Sequence, residues 1–170
     1  MKNIVLIGFM GTGKSSVGRI LARRMKREFV DLDRYLEQRE KRKIREIFEK
    51  EGEPYFRAIE KEAVNYWSRK ENLVITTGGG AMLDPENRSA LKQNGYLVAL
   101  LATPETLYQR LKNSKNRPLL SHHEDLRGEI AKLLEKRKPC YEKSDFYFQT
   151  DGKNASEVAR LVLNVLGKKV

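Results

Sequence analysis

The residues Gly8-Phe9-Met10-Gly11-Thr12-Gly13-Lys14-Ser15 follow the pattern G-x-x-x-x-G-K-S, directly after the apolar run Ile4 to Ile7. A short buried strand, a glycine-rich turn and a helix are the setting of a phosphate-binding loop. Glycines reach backbone conformations closed to other residues, so successive N–H groups can converge on one anion. The helix that follows adds its positive end. Gly11, Thr12, Gly13, Lys14, Ser15 and Ser16 are therefore the candidate phosphate contacts. Lys14 would reach the β- and γ-phosphates, and the Ser15 hydroxyl would take one place on Mg²⁺. A plain connecting turn leaves the agreement of pattern, position and flanks unexplained. A dinucleotide fingerprint is excluded because Gly11 and Gly13 are followed by Ser16, not by a third glycine.

Three further groups could act on a phosphoryl acceptor. Asp31 and Asp33 stand two apart at the end of the apolar run Phe29-Val30, so both can face one pocket mouth. One carboxylate could support a metal, directly or through water, and the other could hold or deprotonate a hydroxyl. Asp33 could instead only cap the next helix. Gly78-Gly79-Gly80 follows the apolar run Leu73 to Ile75 and Thr76-Thr77. Arg57 lies on a helix after Gly52-Glu53-Pro54; alone it would read as a solvated cation or a surface ion pair of little worth.

Alternating elements must position these groups. Strands are expected at Ile4–Ile7, 29–33, 73–77, 96–101 and 145–150. Helices are expected at 16–26, 35–40, from Ile44 to a break at Gly52, at 55–69 and 85–94, from Thr103-Pro104 onward, and at 126–136 and 154–166. Thr103 and Pro104 fit a cap and a first turn, and Gly95 reads as a helix stop. This alternation predicts an α/β three-layer sandwich with a parallel sheet. Ligands in such sheets sit outside the carboxyl ends of the strands, so 8–15, 31–33, 78–80 and 102–104 should share one rim. Residues 113–125 lose periodicity and read as a surface loop.

Bulk properties narrow the class. At 170 residues the chain suits one domain, with 34% charged and 39% hydrophobic residues. The net charge of +11 is spread among acids, as in Glu37-Gln38-Arg39-Glu40-Lys41-Arg42-Lys43, so nucleic acid is not the expected partner. Cys140 is the only cysteine, which excludes an internal disulfide and a cysteine-based metal site. With no signal peptide and no membrane-length apolar run, a cytoplasmic protein without membrane contact is expected.

At this point the chain closely resembles the shikimate kinase family. The resemblance rests on GFMGTGKSSVG at 8–18, VDLD at 30–33, IFEKEGEPYFRAIE at 47–60, TTGGG at 76–80, NRPLL at 116–120 and RKPCYEKSD at 137–145. It implies a P-loop kinase fold with five parallel strands in the order 2-3-1-4-5, and ATP-dependent phosphorylation of the 3-hydroxyl of shikimate in aromatic amino-acid biosynthesis. It also implies one kinase domain over 1–170, with a core at about 1–32, 72–111 and 144–170, a substrate-binding segment at about 33–61 and a lid at about 113–125.

Carried over by position, Asp31 would support Mg²⁺ together with Ser15, and Asp33 would hold the hydroxyls as candidate base. Arg57 and Arg137 would grip the substrate carboxylate, a task suited to forked guanidinium donors. Gly78, Gly79 and Gly80 would press backbone against the substrate, Gly79 most directly. Arg117 in the lid would act on the transferring phosphoryl group, and Arg110 and Lys153 (or Asn154) would lie near the adenine. A monomer is expected. Ser144 stands where the family usually has Ala, a small change. His122 and His123 read as lid surface rather than metal ligands. Other small P-loop kinases, of gluconate or nucleoside monophosphates, would share the first motif, as would a catalytically silent nucleotide-binding protein.

Overall fold

Every residue of strand β1, Asn3–Gly8, is buried, because the strand lies at the centre of the sheet and is covered on both faces. The computed structural model describes residues 1–112 and 125–167. The sheet contains β2 (Glu28–Asp31), β3 (Leu73–Thr76), β4 (Gly95–Leu101) and β5 (Phe146–Gln149), with the order β2-β3-β1-β4-β5. All pairings are parallel; Val5 stands beside Ile75 on one side and Leu97 on the other. The expected sheet and order are borne out.

Alternation along β1 builds the three layers. Ile4 and Leu6 pack with Val17 and Leu21 of helix α1 (Lys14–Met25) and with Val158 and Val162 of the last helix, Ala155–Leu166. Val5 and Ile7 face the other way. They join Val64 of α3 (Ile44–Ser68), Leu91 of α4 (Pro85–Gln93), Leu107 of α5 (Pro104–Leu111) and Ile130 of α6 (Leu126–Tyr141). We number the last helix α7. A third cluster, around Leu36, Ile47, Phe56 and Ile59, joins α2 (Leu32–Glu40) to α3. Thr103 caps α5 and Pro104 opens it, as expected.

Several boundaries differ from the sequence expectation. Strand β2 stops at Asp31, whose side chain caps α2 by accepting from Arg34 N at 3.3 Å. Asp33 therefore lies in the first turn of a helix, and the cap is Asp31, not Asp33. Gly95 does not stop a helix but opens β4: a Cβ there would meet Leu91 O at 2.7 Å and Val5 Cγ2 at 2.9 Å. Helix α6 runs past Lys136 and through Pro139 to Tyr141, which places Arg137 on the helix. The break at Gly52 is a kink within α3, where φ is 81°. Among the described residues no helix is long and apolar enough to cross a membrane.

Candidate active site

The loop between β1 and α1 turns on Gly13, whose φ of 91° lies in the left-handed region. Nothing comes within 4 Å of a Cβ built there, so conformation rather than space requires the glycine. Thr12 Oγ1 donates to Phe9 O at 2.8 Å and closes the turn. Lys14 Nζ donates to Gly8 O and Phe9 O, both at 2.9 Å, so the buried ammonium is fastened to the start of the loop. Ser15 Oγ donates to Asp31 Oδ2 at 2.6 Å, which ties α1 to the end of β2.

Beyond Ser15 the carboxyl ends of β1, β2 and β3 open into a cavity of about 650 Å³. It is lined by Met10, Ser15, Asp31, Asp33, Arg57, Gly78, Gly79, Gly80 and Arg137, together with Phe48, Phe56 and Glu60. The three glycines each face a different charged side chain. A Cβ on Gly78 would lie 2.7 Å from Asp33 Oδ1 and 2.9 Å from Glu60 Oε1. On Gly79 it would lie 3.1 Å from Arg137 Nη1 and 3.3 Å from Met10 N. On Gly80 it would lie 2.6 Å from Arg57 Nη2. The run is glycine because four side chains, Asp33, Glu60, Arg137 and Arg57, already occupy that surface.

Those side chains are held by dedicated partners. Arg57 Nη1 donates to Glu60 Oε2 at 2.7 Å, while Nε and Nη2 donate to Glu53 Oε1 at 3.1 and 3.0 Å. Burial alone would lower the Arg57 pKa, but Glu60 and Glu53 more than offset it and hold it above the ordinary value. Glu60 is buried, and burial pushes its pKa up despite the opposing Arg57; nearby Asp33 adds to the rise. Arg137 donates to Gly79 O at 3.1 Å from beneath, and its guanidinium lies 5.2 Å from the Phe9 ring centre. Tyr141 OH donates to the same carbonyl at 3.2 Å, its own pKa pushed up to about 12 by burial.

The remaining sequence candidates lie outside this cavity. Residues 102–104 do not line it: Ala102 packs in the core, and Thr103 N and Oγ1 donate to Asp151 Oδ1 at 3.0 and 2.7 Å. Arg110 Nη1 donates to Gly11 O at 3.0 Å and Nη2 to Thr150 O at 3.1 Å. The backbone N–H of Lys153 donates to that same Thr150 carbonyl. Arg110 and Lys153 thus share one corner at Thr150, and neither lines the cavity. Ser16 is exposed in the first turn of α1. Arg117, His122 and His123 lie outside the described residues. Sequence reasoning missed Glu60 and Glu53, although their spacing from Arg57, three and four residues along a helix, was a usable signal.

A Ser–Asp pair beside a phosphate loop suits a hard cation with oxygen ligands. Among the described residues no three His, Cys, Asp or Glu side chains gather into a metal cage.

A parallel five-stranded sheet with a glycine-rich loop after its central strand, and a charged cavity at the same rim, is the architecture of a small P-loop kinase. A gluconokinase from Sinorhizobium meliloti shares this fold, with a TM-score of 0.58 at 19% identity over 98% of this chain and 92% of that one. A family model described as shikimate kinase matches residues 10–167, and the chain belongs to the shikimate kinase family. The shikimate kinase of Pelotomaculum thermopropionicum is 46% identical over 166 residues, 98% of this chain and 96% of its own length. Shikimate kinase from Acinetobacter baumannii, solved in complex with shikimate, superposes with a TM-score of 0.94 at 38% identity, covering 100% of this chain and 96% of that one.

Proposed function

We propose that this chain transfers the γ-phosphoryl group of ATP to the 3-hydroxyl of shikimate, giving 3-phosphoshikimate on the route to chorismate and the aromatic amino acids. One observation carries the reading. A triple glycine removes every side chain from a surface faced by two guanidinium groups, Arg57 and Arg137, and by two carboxylates, of which Glu60 is already paired with Arg57 and Asp33 is left to meet the acceptor's hydroxyls. A small acid with hydroxyls matches that set: two cations for its carboxylate and one carboxylate for its hydroxyls. A nucleobase or a neutral sugar offers no anion to the two arginines.

The geometry supports the following division of work. The loop from Gly11 to Ser16 binds the phosphates through N–H groups and the Lys14 ammonium. The backbone carbonyls that fasten Lys14 fix where its charge sits. Mg²⁺, when bound, neutralises developing charge on the phosphate oxygens. Ser15 and Asp31 would hold it, one directly and the other through its water shell.

Asp33, in the first turn of α2, accepts from the reacting hydroxyl and directs it toward the loop. The loose transition state of phosphoryl transfer needs little base catalysis, so aiming the hydroxyl is the larger part of its task. Arg110 and Lys153 border the adenine side. Arg117, outside the described residues, is assigned on sequence alone to the transferring group. We take 1–170 as one kinase domain with the core, substrate segment and lid boundaries expected from the sequence. It would work as a cytoplasmic monomer without nucleic-acid or membrane partners.

The test is ADP release by purified protein with ATP, Mg²⁺ and shikimate. Shikimate-dependent turnover is the expected result. Activity on gluconate or a nucleoside monophosphate with none on shikimate would overturn the assignment.

A further inference from the structure

We propose that Glu53, outside the cavity, is a positioning residue that sets the angle at which Arg57 meets the substrate carboxylate; this rests on the shikimate reading above. A guanidinium carries five N–H donors. Two of those on Arg57, on Nε and Nη2, go to Glu53 Oε1 at 3.1 and 3.0 Å, and one on Nη1 goes to Glu60 Oε2 at 2.7 Å. That leaves one N–H on each Nη, the pair that can grip a carboxylate with two parallel bonds. A point placed where a Gly80 Cβ would be lies 2.6 Å from Nη2, 2.9 Å from Nη1 and 3.1 Å from Cζ. It is near both nitrogens and farther from the carbon, so the fork points at Gly80 and the cavity wall.

Two carboxylates on different sides hold that aim. Glu60 is buried inside the cavity, whereas the Glu53 side chain is 52% exposed and is not part of the lining. Gly52 makes the arrangement possible. Its φ of 81° kinks α3 immediately before Glu53, so Glu53 begins a new helical stretch and reaches Arg57 four residues on. The stretch Gly52-Glu53-x-x-x-Arg57-x-x-Glu60 therefore reads as a kink, an outer tether, the cation and an inner tether.

An exposed ion pair that served only the helix would leave substrate affinity unchanged. A tether that fixes the fork changes affinity without changing the chemical step, because a long side chain released from its partner must be ordered again on binding. Glu53→Ala is expected to raise KM for shikimate about three- to tenfold, with kcat and KM for ATP within about twofold of the parent. Glu53→Gln keeps an oxygen able to accept from both Nε and Nη2, and is expected to restore KM to within about twofold. Steady-state kinetics and calorimetric titration with shikimate alone read these effects. An unshifted shikimate KM in Glu53→Ala, or a Gln variant as impaired as the Ala variant, overturns the tether. If the parent chain shows no shikimate-dependent turnover, the kinase reading itself has failed; an active parent with an unshifted Ala variant removes the tether alone.

Discussion

A methyl group on Gly80 would lie 2.6 Å from Nη2 and 2.9 Å from Nη1 of Arg57, closer than non-bonded atoms tolerate. The Gly80 backbone has φ −106°, which alanine adopts without strain, so the objection to a side chain is the guanidinium alone. The atoms struck are the far end of a flexible side chain. Gly80→Ala should therefore cost stability at the lower end of the roughly 1–3 kcal/mol typical of overpacking. The displaced fork should raise KM for shikimate by about tenfold or more, the loss of a charge-assisted bond. A shikimate titration beside a urea melt separates the two effects, and an unaltered KM would mean that Arg57 does not bind the acid.

This relationship marks where the sequence stopped being readable. The phosphate loop, the sheet and the positions of Asp31, Asp33 and the triple glycine follow from apolar runs and turn residues, because local spacing determines them. That Gly78 answers to Asp33 and Gly80 to Arg57 does not, since these pairs meet across different elements. Glu60 stayed hidden for a related reason: an acid on a charged helix reads as surface, and only the fold shows it buried beside Gly78 and paired with Arg57. Helix α6 also runs beyond the expected end at Lys136, through Pro139 to Tyr141, and so carries Arg137 to the Gly79 carbonyl.

Lys14→Ala should lower kcat by about 10²–10³, the usual cost of removing one donor aimed at developing charge. The ammonium is buried and bonded to Gly8 O and Phe9 O, so the variant also removes its bond to Gly8 O, whereas Phe9 O keeps the bonds it accepts from Thr12. ATP binding should weaken as well. Initial rates at saturating ATP isolate the chemical step; a kcat within a few-fold of the parent would remove Lys14 from the reaction.

The 2.6 Å bond from Ser15 to Asp31 predicts a metal phenotype. Ser15→Ala would delete the oxygen proposed to ligate Mg²⁺ directly but leave the carboxylate, so the Mg²⁺ concentration for half-maximal rate should rise several-fold, on the order of one lost ligand. Activity should recover substantially at high Mg²⁺. A Mg²⁺ titration with superimposable curves for parent and variant would place the metal elsewhere.

Glu60 gives the fold a pH dependence whose sign can be worked out. Burial raises its pKa above the ordinary 4.5, Arg57 opposes the rise, and nearby Asp33 adds to it while Arg137 opposes it. Between 4.5 and the raised value the folded chain binds more protons than the unfolded chain, so stability falls as pH climbs. The contribution is fully present below 4.5 and lost once pH has passed the folded value. Glu60→Gln carries no titrating group, yet its amide oxygen still accepts from Arg57. Other acids are common to both chains and cancel in the difference. The stability of Glu60→Gln relative to the parent should therefore rise as pH increases through that window and then level off. Urea midpoints measured from about pH 4 to 8 test it. A difference that stays constant across that range would show that Glu60 is ionised as easily in the folded chain as in water, and that Arg57 fully compensates its burial.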